Sequence, residues 1–289
     1  MPSDATGGAR DYDLRSLRHE QHMLAVYRRR APQDAALLQP LANACRRAAA
    51  FDWALSGEAG SVRELWAEGA RALAEGFRRS RSGFDPSPDQ LILALDLAIA
   101  GRDRGAFTTL ASFAPGVRSG VLRGAQAFRG ARAHFHLAEG YALIASALAE
   151  RACEPARAAL RSLTAAREES ERQWWEQRFP DPLEAAWLMR EHEAVCALLG
   201  AVAGVILGAP QAQGAAEFAS AVEEALLCLE RFVAAGPNHH PKLYVWLPGI
   251  ALCALAASAG LPIDWIEERR RQHAPGFSRL PTRLLHHEN

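Results

Sequence analysis

Phe218, Val222, Ala225, Leu229 and Phe232 recur three or four residues apart, while Glu217, Ser220, Glu224 and Arg231 lie outside the series. Successive residues of an α-helix are 100° apart, so this spacing gathers the apolar side chains on one stripe. Val62, Leu65, Trp66, Leu73 and Phe77 repeat the pattern, with Arg63, Glu64, Arg71, Glu75 and Arg78 mostly elsewhere. No stretch sustains apolar–polar alternation of period two, and valine, isoleucine and threonine are scarce. A sheet therefore has little to be built from, and the stripes predict an all-α chain.

Helix boundaries are written locally. Ser87-Pro88-Asp89-Gln90 has the form of a capping box with proline at the first helical position, and Asp181-Pro182-Leu183-Glu184 repeats it with acidic residues. Gly101 after the apolar run 91–100 suits a left-handed stop, and Asp103 can cap the next helix. Gly208, Pro210, Gly236, Pro237, Gly260 and Pro262 mark further breaks. The expected architecture is about ten antiparallel helices stacked as irregular helical hairpins, because short loops make sequential helices neighbours. No repeat of fixed period holds along the chain. Residues 1–10 read as a disordered leader and residues 11–289 as a single helical domain, with a hinge expected at 80–88.

The chain has 289 residues, 49% of them hydrophobic, enough to bury a full core without disulfides or metal. Its 33 basic and 33 acidic residues cancel, which argues against nucleic acid as the main partner. Lys242 is the only lysine; with so much alanine, the arginine bias reads as codon composition. Cys45, Cys153, Cys196, Cys228 and Cys253 are odd in number and widely spaced, the usage of a reducing compartment. The N-terminus lacks the pattern of a signal peptide, so the expected location is the cytoplasm. Residues 195–209 are apolar or glycine without interruption, and Gly200, Gly204 and Gly208 form a row that would let a neighbouring helix come close. A helix of that length spans about 22 Å against a hydrocarbon core of about 30 Å, so a buried helix is expected rather than a membrane span.

No phosphate loop, nucleophile elbow or dinucleotide fingerprint is present, so the chain is read as a non-enzyme with no cofactor and no metal. His19 and His22 lie one helical turn apart with no third ligand signalled. His134 and His136 point about 200° apart on a helix and cannot share an ion. His239-His240 and His286-His287 read as surface pairs. A helical enzyme would instead require several of His19, His22, His134, His136 and His192 to meet in one pocket. Arg28-Arg29-Arg30 and Arg269-Arg270-Arg271 suit the negative ends of helices. The candidate partner-binding residues are Trp174, Trp175, Glu168, Glu169 and Glu171. Adjacent indoles cannot be equally buried, and an aromatic left near the surface beside charge is a typical interface anchor; the other reading is ordinary core packing of the indoles beside a solvated acidic helix face.

The C-terminal part carries a family resemblance. An amphipathic helix from Glu217 to Val233 precedes Trp246-Leu-Pro248-Gly-Ile-Ala-Leu-Cys-Ala-Leu-Ala, then Gly260 and Pro262-Ile263, then Ser278-Arg-Leu280-Pro281-Thr-Arg-Leu284-Leu285. This order resembles the bacterial immunity-protein-49 family, whose members close on a proline-led apolar helix, a glycine and a Tyr-Leu-Pro-x-x-Leu-Leu-like segment. Arg279 stands where that family has an aromatic residue, and 266–276 adds an arginine-rich segment. The resemblance implies an all-α protein that binds and neutralises a cognate toxin of a polymorphic toxin system in the cytoplasm, by occlusion. It supplies no catalytic residues. Leu280, Pro281, Leu284 and Leu285 read as a tail strapped onto the core. The alternative is a tetratricopeptide-like adaptor that holds a peptide or protein in a concave groove.

Overall fold

Ser87 shows how the chain starts a helix. Its Oγ accepts from the Gln90 backbone N–H at 3.3 Å, and Gln90 Oε1 accepts from the Ser87 N–H at 2.9 Å, completing the capping box. Asp181 Oδ1 accepts from the Leu183 N–H at 2.8 Å, a cap made by the aspartate alone. Asp103 caps through Ala106 N–H at 2.8 Å. These devices satisfy amides that a helix start would otherwise leave open.

The computed structural model describes residues 5–79, 87–113, 129–170, 172–235, 244–274 and 276–285. The hinge expected at 80–88 lies mostly outside them, as do Glu171, His239, His240, His286 and His287. Among the described residues there is no strand, and the chain forms α1 (Ala5–Arg30), α2 (Leu38–Ser56), α3 (Ala59–Arg78), α4 (Pro88–Ala100), α5 (Arg104–Ala111), α6 (Arg129–Glu150) and α7 (Cys153–Glu168). Then follow α8 (Arg172–Arg178), α9 (Pro182–Ile206), α10 (Gln211–Ala235), α11 (Leu247–Ser258), α12 (Trp265–Arg271) and α13 (Thr282–Leu285). The fold class is all-α as expected. The helices beyond the expected ten are mostly one- and two-turn pieces such as α8, α12 and α13, too short to display a stripe of their own. Residues 5–10, part of the expected leader, are the first turns of α1.

Packing follows chain order. The pairs α1–α2, α2–α3, α6–α7 and α9–α10 make the most extensive contacts, as hairpins with short connections should. α4 then packs on α3, α6 and α11, and α9 on α7 and α11. α11 is apolar nearly all round, with Ile250, Leu252, Cys253 and Leu255 buried, so it belongs inside rather than on a surface. The core is one connected cluster from Leu24 to Leu285, rich in alanine, which lets helix axes approach closely.

Two glycine expectations are corrected. Gly101 has φ −78°, not a left-handed conformation, and Arg102 (φ 56°) makes the reversal instead. Gly101 is needed for room: a Cβ there would stand 2.5 Å from the Ala67 backbone nitrogen of α3. The row Gly200–Gly204 admits no close neighbour helix, since a Cβ at Gly200 meets nothing within 4 Å and one at Gly204 meets only Ala209. The close approach of α9 and α10 is made by Gly214, whose Cβ would fall 2.7 Å from that of Ala201.

The C-terminal strap is buried, Leu280, Leu284 and Leu285 being at most 6% exposed. Arg63 Nη2 donates to the Arg283 carbonyl at 2.5 Å and Arg102 Nη2 to the Leu285 carbonyl at 3.2 Å, satisfying acceptors that the short α13 leaves open. Arg279 bonds Glu230 at 2.8 Å and so holds the strap to α10. Arg28–Arg30 and Arg269–Arg271 occupy the last turns of α1 and α12, where basic residues complement the helix dipole.

Candidate functional site

Because the capping box starts α4 at Pro88, the residues Asp89, Ile92, Leu93 and Asp96 share one face of that helix. This face forms one wall of a cavity of about 560 Å³. α9 contributes a second wall through Trp187, Leu188, Glu191, His192 and Val195, again at helical spacing. His134 and Leu137 of α6, Arg46, Arg47 and Ala50 of α2, Trp66 of α3, Trp175 and Arg178 of α8, and Phe179 just after it close the sides. Residues 245–248, leading into α11, complete the lining. Apolar walls with a few convergent polar groups, at this size, are the ordinary make-up of a ligand pocket.

At one end, His134 Nδ1 lies 2.8 Å from Asp89 Oδ1, and Arg178 donates to Asp89 Oδ2 at 3.3 Å. The hydrogen bond from His134, followed by the electrostatic effects of His134 and Arg178, holds the carboxyl of Asp89, whose side chain is half exposed, below its ordinary range. An ionised Asp89 takes the Nδ1–H of His134, and His134 Nε2 is buried without a partner. His192 is 2% exposed, and burial pushes its pKa down to about 3, so the ring is neutral. Its Nε2–H donates to the Ala166 carbonyl at 3.3 Å, leaving Nδ1 as an unpartnered acceptor. The two imidazoles lie 5.7 Å apart, and both pack on Trp175.

Asp96, at mid-wall, is 3% exposed and accepts from Tyr141 Oη at 2.9 Å. Burial outweighs that bond and pushes its carboxyl up to about 8, so it is a neutral acid at pH 7. At the far end Glu191 accepts the Trp246 indole N–H at 2.5 Å, and Arg47 is held by both oxygens of Glu20, at 2.7 and 3.0 Å. Arg46, partly buried, makes no hydrogen bond or ion pair among the described residues; desolvation, then the charge of Arg47, lowers its pKa, and the charge of Glu191 opposes them.

The residues singled out in the sequence divide. Trp175 lines the cavity, is 3% exposed and donates its N–H to Ser170 Oγ at 3.0 Å; Trp174 is not on the cavity wall but packs on residues that are, half-buried, 5.1 Å from the His134 ring and beneath the Arg178 guanidinium at 5.3 Å. Glu168 is exposed at the end of α7, and Glu169 faces His136 Nε2 at 3.7 Å, so neither lies on the cavity wall. Glu171 lies outside the described residues. His134 and His192 meet in the cavity; His136 turns away towards Glu139 and Glu169, and His19 and His22 are exposed on α1. Asp89, Asp96, Arg46 and Glu191 were not singled out. The usable signal was two carboxylates at 89 and 96 in register with Ile92 and Leu93 on a largely apolar helix.

Among the described residues no group of three or more histidine, cysteine, aspartate or glutamate side chains could hold a metal ion. No described helix is long and apolar enough to cross a membrane. Compared with protein-family models, curated proteins and solved structures, the chain matches none of them.

Proposed function

We propose that this chain is a binding protein whose working face is the mouth of the cavity, and that it acts in the cytoplasm as an immunity protein that neutralises a cognate toxin by occlusion. The observation that carries the reading is the Trp174–Arg178 pair, half-buried indole under guanidinium, set beside a preformed cavity. Tryptophan and arginine are the residues most enriched among interface hot spots, and a rigid helical scaffold presents them at little ordering cost. The C-terminal resemblance supplies the toxin as partner. The contacts of α11 with α4 and α9, made between helices that are not neighbours in the chain, support a block-like immunity protein over a tetratricopeptide-like adaptor, in which each unit touches only its neighbours. Co-expression with the product of the adjacent gene tests the reading. Protection and a stable one-to-one complex burying at least about 1,200 Å² are expected, weakened at least tenfold by Trp174→Ala. Survival no better than with an empty vector would refute it.

A second reading has an observation of its own. Asp89 behind His134, with His134 Nε2 unpartnered, is the arrangement of an oriented general base, and His192 stands beside it. It predicts turnover of activated esters such as 4-nitrophenyl acetate that His134→Gln abolishes. Equal rates for both proteins would leave the pair a structural one.

A further inference from the structure

Sort the charged groups of the cavity wall by what each already meets. Asp89 is hydrogen-bonded by His134 and Arg178, Arg47 is paired with Glu20, and Glu191 accepts from Trp246. Asp96 is bonded to Tyr141. Arg46 is the exception among the described residues: its guanidinium lines the same cavity with no hydrogen bond or ion pair. Arg46 is partly buried, so its charge is incompletely hydrated; desolvation and the adjacent Arg47 work against that charge, and the carboxylate of Glu191 on the same wall works for it without bonding it. A second donor is also unspent. Trp187 is 2% exposed and lines the cavity, and its Nε1–H has no partner.

The body of the space is aromatic and aliphatic. Trp66, Trp175, Trp187 and Trp246 are each at most 3% exposed in the fold, and Ile92, Leu93 and Leu188 lie between them on the wall. A volume of about 560 Å³ is that of a small organic molecule rather than an ion. Flat apolar surfaces favour a planar body, and the unspent donors of Arg46 and Trp187 favour an acceptor that carries negative charge, while the unpartnered His134 Nε2 and His192 Nδ1 can meet another part of the same body.

We propose that the cavity is a binding site for a small amphipathic organic anion, a planar apolar body bearing one carboxylate, sulfonate or phosphate group, with Arg46 as the anchor of the charge and Trp187 as an auxiliary donor. The site stands whether or not a protein docks over the mouth, since Arg46 lies on α2 and the tryptophan anchor of the mouth on α8.

The test uses two fluorescent probes of nearly the same shape. 1-Anilinonaphthalene-8-sulfonate carries the charge, and N-phenyl-1-naphthylamine lacks it. The full chain should bind the sulfonate one-to-one, and Arg46→Met should weaken it at least about tenfold while changing the neutral probe less than about twofold. Arg46→Lys should recover part of the loss, because a cation is restored without the guanidinium geometry. Leu93→Trp, which fills the cavity from the opposite wall, should abolish binding of both probes; it keeps the test decisive if Arg46→Met does not fold. Circular dichroism melts confirm which variants are folded. No binding of the sulfonate by the wild type, equal binding by folded Arg46→Met, or unchanged binding by folded Leu93→Trp would each overturn the assignment.

Discussion

Gly101→Ala and Gly200→Ala make the same chemical change and should move stability in opposite directions. Both glycines have right-handed backbones, Gly101 at φ −78° and Gly200 inside α9, so alanine is conformationally acceptable at either position. The unfolded chain loses the same freedom in both variants, which favours folding by about 0.4–1 kcal/mol. At Gly200 a Cβ meets nothing within 4 Å, so that gain should be realised nearly whole. At Gly101 the new Cβ would lie 2.5 Å from Ala67 N and 2.9 Å from Ala67 Cα, about 0.9 Å inside ordinary contact for the closer atom. Those are backbone atoms and cannot swing aside. α3 and α4 must part, loosening the packing around the fully buried Trp66 and Leu97. Overpacking of this kind costs about 1–3 kcal/mol, and the backbone contact places it at the upper end, for a net loss of about 2 kcal/mol. At about 2–3 °C per kcal/mol for a chain of this size, Gly101→Ala should melt about 4–6 °C below wild type and Gly200→Ala about 1–3 °C above it, by circular dichroism at 222 nm. If Gly101→Ala melts at or above wild type, or both variants shift the same way, the close approach of α3 to Gly101 is not what that glycine provides.

The pH dependence of Asp96 is a second prediction. Its carboxyl is raised to about 8 in the fold against about 3.9 unfolded, so the wild type loses stability as pH climbs from 4 towards 8. Asp96→Asn lacks this loss, and its stability relative to wild type should rise by on the order of 3 kcal/mol between pH 5 and 7.5, read from urea midpoints; a difference that stays flat with pH would refute the buried neutral acid. The thiols should separate kinetically as well. Cys153 is exposed, whereas Cys45 and Cys196 are buried with thiols pushed up to about 12, so Ellman's reagent should label Cys153 first and those two only in denaturant; rapid labelling of Cys45 in the native state would contradict the packing of α2.

What could be read from residues alone was what neighbours in sequence decide. The Ser87 capping box, the stripe from Phe218 to Phe232 and the unequal burial of Trp174 and Trp175 depend only on the 100° step of a helix, and each is present in the fold. The purpose of Gly101 was not readable, because the backbone it makes room for belongs to Ala67 on another helix. The cavity escaped for the same reason. Arg46-Arg47 looks like a solvated pair, Asp89 like a first-turn acid, and Glu191-His192 like the polar edge of an apolar run. Each helix announces the width of its own polar face, but whether that face meets water or another polar face depends on which helices surround it. Charge placed in register with apolar residues is nevertheless a distinct signal. Asp89 and Asp96 fall with Ile92 and Leu93, and Glu191 and His192 fall with Trp187, Leu188 and Val195. A solvated acid belongs on the side away from such residues. Asp96 of α4 and His192 of α9, each at most 3% exposed, break that rule on walls that face the same cavity, and other helices answer them through Tyr141 and the Ala166 carbonyl; the donors that stay unbonded there, Arg46 and Trp187, are what a ligand with negative charge would meet.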